Sequence, residues 1–123
     1  MITGLVNSRL EAVLQLEVFD KSGVANQVSA IVDTGFGGYL TLPVSAVRSY
    51  ELRSLGRHPG MLADGSRVFF DVYAGEVVWD GHKQRVEIHS ADAEPLLGMA
   101  LLNGHELKIE VRTGGSVEIE KTQ

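Results

Sequence analysis

The stretch Ala30-Ile31-Val32-Asp33-Thr34-Gly35-Phe36-Gly37-Gly38 holds the residues best suited to chemistry. An apolar run delivers a carboxylate, a hydroxyl and a glycine to what reads as a strand end, and a glycine-rich turn follows. A carboxylate so placed can act as a general base or acid. The tripeptide alone carries modest weight, because average residue usage yields any such triplet in roughly 2% of chains this long. Thr-Gly also ends ordinary strands. Downstream lies Pro95-Leu96-Leu97-Gly98, two large apolar residues and a glycine ahead of a short helical pattern. Between the two, Leu62-Ala63-Asp64-Gly65-Ser66 places turn residues between strand patterns, as the tip of a hairpin would.

Other chemistries find little purchase. With no cysteine, disulfides, thiolate catalysis and cysteine-ligated zinc are excluded. His58, His82, His89 and His105 are scattered without metal-ligand spacing and read as surface or half-buried side chains, so no metal is expected. Gly35, Gly37 and Gly38 lack the Gly-Lys-Ser/Thr of a phosphate loop. Ser45 and Ser49 lack a nucleophile elbow. Trp79 reads as an aromatic covering a core edge at a strand end. Glu106, Glu110, Glu118 and Glu120 read as the wet faces of strands.

The elements that must position Asp33 are strands. Leu10, Ala12, Leu14, Leu16 and Val18 alternate with Glu11, Gln15 and Glu17, the period-two signature of a strand with one buried face. Asp20-Lys21-Ser22-Gly23 supplies a turn, and Val24, Val28, Ala30 and Val32 resume the alternation up to Asp33. Val68, Phe70, Val72 and Ala74 form another apolar face, opposite Asp71 and Tyr73. Asp80-Gly81 predicts a tight hairpin into Val86 and Ile88. Leu107, Ile109 and Val111, then Val117 and Ile119 beyond Thr113-Gly114-Gly115, close the series. Pro43 predicts a short helix through Tyr50, and Gly98 and Gly104 bracket a second from Met99 to Asn103. The pattern is all-β with two short helices, a barrel or folded sheet built from hairpins.

The 123 residues suit a single domain, 1–123, with 44% hydrophobic and 22% charged residues. A core this small gains from association with a partner. The net charge of -5, with 11 Lys and Arg, argues against nucleic acid. No apolar run reaches membrane-spanning length, and the first residues lack the pattern of a secretory signal. A soluble, cytoplasmic protein is expected.

Together, Asp33-Thr34-Gly35 and Leu96-Leu97-Gly98 resemble the paired motifs of the retropepsin-like aspartic proteases. The Asp-Thr-Gly-Phe-x-Gly form, and Leu97-Gly98 followed by Leu101-Leu102, are similar to the small prokaryotic single-domain members. The resemblance spans nearly the whole chain and implies an acid-protease barrel with one lobe per chain. It further implies Asp33, Thr34 and Gly35 as the catalytic loop, with the Thr34 hydroxyl bonding across a dimer. Ala63, Asp64 and Gly65 would form the flap that closes over a peptide or protein substrate. Leu96, Leu97 and Gly98 would pack beneath the loop, and no cofactor is called for. Val117 and Ile119 would help form a terminal-strand interface. None of Asp20, Asp64, Asp71, Asp80 or Asp92 repeats Asp-Thr-Gly, so a pair of catalytic carboxylates requires a homodimer. The sequence departs from many family members at Phe36, where Ser, Thr or Ala is usual. The same patterning fits a catalytically weak or inactive fold used for binding or dimerisation, and an unrelated β domain is the third reading.

Overall fold

Alternation of apolar and polar residues becomes, in the computed structural model, one sheet that bends round on itself. The structure describes residues 1–61 and 64–122. Its strands are β1 (Ile2–Val6), β2 (Ala12–Phe19), β3 (Ala25–Val32), β4 (Leu40–Leu42), β5 (Arg53–Met61) and β6 (Arg67–Trp79). They continue with β7 (His82–Ser90), β8 (Leu96–Leu97), β9 (His105–Ile109) and β10 (Ser116–Lys121). Helix α1 (Val44–Ser49) lies between β4 and β5, and α2 (Met99–Leu102) between β8 and β9. The ten strands run in the order β5-β6-β7-β4-β8-β3-β2-β1-β10-β9, and an additional β6–β2 pairing closes the sheet. Such closure leaves few edges, here β5 and β9.

Much of the core comes from the predicted alternation: Leu14, Leu16 and Val18 of β2 meet Val28 and Ala30 of β3 and Val86 and Ile88 of β7, and Val77 and Trp79 of β6 join them. Asp80 (φ 51) and Gly81 (φ 79) make the tight turn of that hairpin, a left-handed pair that favours glycine at the second position. Asp20 closes the β2–β3 hairpin, its Oδ1 accepting the Ser22 and Val24 amides at 2.9 and 3.0 Å.

Several predicted faces end sooner than the pattern suggests. Leu10 is 58% exposed with φ 60, in a turn before β2, and Val24 and Val111 are likewise exposed beyond their strands. On β6 the buried set changes phase: Val72 is buried, then Gly75, Val77 and Trp79 rather than Ala74. There the strand leaves its pairing with β5 and enters the body of the sheet, where Gly75 leaves room for the Ile88 side chain. Val117 and Ile119 are both fully buried in the core of one chain. Their side chains are therefore closed to any second subunit, contrary to their expected place at an interface.

Candidate active site

Strand β3 carries Asp33 at its C-terminal end because Ile31 and Val32 pair in parallel with Leu96 and Leu97 of β8. The register is locked at both ends: Ile31 N–H donates to Pro95 O and Asp33 N–H to Leu97 O, each at 2.9 Å. The chain then turns back on itself. Gly35 N–H donates to Asp33 Oδ1 at 2.9 Å and Phe36 N–H to Asp33 O at 3.1 Å. Asp33 is half-buried, while Thr34 and Gly35 are exposed.

The loop after Asp33 also completes α2. Gly98, Met99 and Ala100 direct their N–H groups to Tyr39, Phe36 and Gly38 carbonyls at 3.0, 2.8 and 3.1 Å. These are the donors a helix start leaves unpaired, so the loop and the helix satisfy each other. Gly98 is required sterically. A Cβ there would come within 2.5 Å of Phe36 Cδ2 and 2.7 Å of Phe36 O, and closer still to Gly38 O. The Leu-Leu-Gly segment is thus a wedge under the loop, with Leu97 fully buried.

Phe36 occupies the position where the resemblance led to an expectation of Ser, Thr or Ala. Its ring covers Gly38 and Gly98 and meets His89 edge-on, with centroids 5.6 Å apart. His89 in turn meets Phe70 of β6 edge-on at 5.7 Å. Burial holds the His89 imidazole below its ordinary value of 6.5; Glu87 opposes this and His58 adds to it.

Beyond the loop, β5 and β6 form a long antiparallel ribbon, interrupted by a bulge at Ser54–Gly56 where Gly56 takes φ 95. Arg57 lies over the Phe69 ring at 5.4 Å, and Met61 and Phe69 are exposed. Asp64 and Gly65 (φ 85) sit in its connecting turn. Asp64 Oδ1 accepts both the Ser66 hydroxyl, at 2.6 Å, and the Ser66 amide, at 2.9 Å. The hydroxyl bond, with the amide's help, holds the Asp64 carboxyl below its ordinary 3.8. Ala63 lies outside the described residues.

The structure therefore brings Asp33, Thr34 and Gly35 against Leu96, Leu97 and Gly98, and sets Asp64 and Gly65 apart at the ribbon tip. Sequence reasoning missed His89 as part of this region; its only signal was a place on the polar face of β7, in step with Arg85 and Glu87. On the other side of the loop, a cleft of about 630 Å³ joins Thr34 and Gly37 to Met99, Leu102, His105 and Leu107. Thr34 and the edge strand β9 thus share one surface.

No family model matches the chain, and no curated protein does. Solved structures do. A retropepsin-like aspartic protease from Rickettsia conorii aligns with a TM-score of 0.58 at 15% identity, over 99% of this chain and 91% of that one. The protease of simian foamy virus (mac) aligns with a TM-score of 0.50 at 19% identity, over 72% of this chain and 90% of that one. The chain has a retropepsin-like fold, all-β and one lobe in extent. Its fold neighbours are aspartic proteases.

Proposed function

We propose that the protein is an aspartic endopeptidase that works as a homodimer, with one Asp33 from each copy. The observation that carries this reading is the bracing of Asp33. Its carboxylate stands on a loop tied to Leu97 O and wedged by Gly98, within a fold whose solved neighbours are aspartic proteases. Two carboxylates brought together share one proton, since both cannot ionise easily. The ionised one takes a proton from a water that attacks the peptide carbonyl, and the protonated one donates a hydrogen bond to the carbonyl oxygen. The pair titrates as a unit, so cleavage belongs to acidic and neutral pH, where the shared proton persists. The β5–β6 ribbon serves as the flap, and its backbone offers strand-type hydrogen bonds to an extended peptide.

Two features support dimerisation beside the loop. Thr34 is exposed next to Met99, itself 48% exposed. Strand β9 is an edge whose sequence is complementary to itself in antiparallel pairing. With Leu107 at the two-fold axis, Glu106 faces the partner's Lys108 and Lys108 the partner's Glu106, ion pairs of the cross-strand kind.

Asp33→Asn tests the proposal against a library of unfolded-protein peptides. Loss of all cleavage with unchanged sedimentation is expected. Retained cleavage in that variant removes Asp33 from the mechanism. A wild-type dimer with neither turnover nor affinity for a statine peptide points to a binding module instead.

A further inference from the structure

His89 lies where three parts of the molecule meet. On β7 it pairs with Thr41 of β4 and with Val72 of β6. Its ring is gripped edge-on by Phe36 of the catalytic loop, at an interplanar angle of 90°, and by Phe70 of the ribbon, at 78°. The grip is tight at both ends. A Cβ on Gly38 would meet Phe36 Cζ at 2.5 Å and His89 Cε1 at 3.2 Å, and a Cβ on Gly60 would meet Phe70 Cε2 at 2.5 Å. Gly60 belongs to β5, so the Phe70 ring spans both strands of the ribbon. A continuous aromatic chain thus runs from the loop that carries Asp33, through one imidazole, to the ribbon.

We propose that His89 is a positioning residue that latches the β5–β6 ribbon to the catalytic loop as a neutral imidazole, and that its protonation releases the latch. The idea rests on the ribbon acting as the flap of a peptidase. Nδ1 of His89 is buried and has no hydrogen-bond partner among the described residues. In the tautomer with its proton on Nε2, that nitrogen is a bare acceptor. Protonation makes it a buried N–H⁺ with no oxygen to receive it, which costs more than an unpaired neutral group. The neighbouring charges do not supply one. Glu87, two residues along β7, favours the cation, whereas His58 on β5, register partner of Phe70, opposes it. Asp71 of β6 is turned to Arg57, 3.8 Å away. Neither β4 nor β8 has an ionisable side chain, and Asp33 of the catalytic loop is not among the charges that act on the imidazole. Aromatic rings attract cations, and the proposal requires that this attraction be smaller than the cost of burying the unpaired charge.

The sign follows from burial. The folded, latched state lowers the imidazole value below 6.5, so the latch is at full strength above that value and weakens as pH falls through the folded one. Its loss amounts to about tenfold in the open-to-closed ratio for each unit by which latching depresses the imidazole.

Hydrogen exchange of the β5–β6 amides, corrected for intrinsic rates and read between pH 7.5 and 5, tests this without any need for cleavage. Exchange in the wild type should accelerate on acidification, while His89→Phe, which keeps an edge contact and cannot titrate, should show none of that acceleration. If His89→Phe does not fold, the wild-type His89 titration followed by NMR decides. It should lie below 6.5 and rise toward it in Phe36→Ala. A His89 titrating at or above 6.5, or ribbon exchange in the wild type that ignores pH, overturns the latch and leaves the peptidase proposal standing. In cleavage assays the latch predicts a KM that climbs on acidification with kcat held, and His89→Phe removes the climb.

Discussion

Replacing Gly98 by alanine should damage the protein far more than one methyl group ordinarily does. Gly98 has φ -106 and ψ -179, extended backbone open to any residue, so the cost is contact and not torsional strain. Its Cβ would intrude on Phe36 Cδ2 at 2.5 Å and on the carbonyls of Phe36 and Gly38. Two of these three neighbours are backbone, and those carbonyls accept the Met99 and Ala100 amides of α2. Relief therefore means moving the Asp33 loop away from the helix. Overpacking costs about 1–3 kcal/mol, and an obstacle of backbone belongs at the upper end, about 2–3 kcal/mol. For a domain of this size that lowers Tm by roughly 6–15 °C. Gly37→Ala is the control, because a Cβ there meets nothing within 4 Å and should change stability by less than about 0.5 kcal/mol. Calorimetry and urea unfolding of both variants, at matched protein concentration, read the difference. Gly98→Ala within about 0.5 kcal/mol of wild type, or Gly37→Ala equally harmful, refutes the wedge.

Two further outcomes follow from the same geometry. Glu106→Lys should weaken self-association about 5–30-fold, since two like-charge pairs replace two attractive ones across β9 at a combined cost of about 1–2 kcal/mol. Adding Lys108→Glu should restore it; sedimentation equilibrium with no effect of either change rejects the β9 interface. At the ribbon tip, the Ser66 amide resonance should follow the Asp64 titration with a midpoint below 3.8, because ionised Asp64 accepts both Ser66 bonds. The turn is thus held above that range and loosens as pH falls through the lowered value. Ser66→Ala should raise the midpoint, and a wild-type midpoint at or above 3.8 contradicts the assignment.

Much of this architecture was legible because burial on one face writes a period of two. Leu14, Leu16 and Val18, or Val86 and Ile88 after the Asp80-Gly81 turn, announce themselves, whereas the change of phase that buries Val77 does not. Strand β5 does not, since the ribbon it forms has little buried on either face and its sequence includes Gly56, Pro59 and Gly60. The short strands β1, β4 and β8 are likewise unmarked. Parallel pairings such as β3–β8 join residues far apart in the chain, where local pattern is silent. The candidate site divides the same way. Asp33-Thr34-Gly35 and Leu96-Leu97-Gly98 were visible as motifs, and their hydrogen-bonded contact is a tertiary fact. Phe36 read as a departure from the family pattern; only packing shows its ring bridging Gly98 to His89.

The central claim is that two copies of Asp33 make one catalytic centre. Its most direct test is the distance between the two Asp33 carboxylates in a crystal structure of the protein bound to a statine peptide. The account predicts a two-fold dimer with those carboxylates about 3 Å apart and the statine hydroxyl between them. A peptide held elsewhere, or Asp33 side chains facing away from a shared axis, contradicts it.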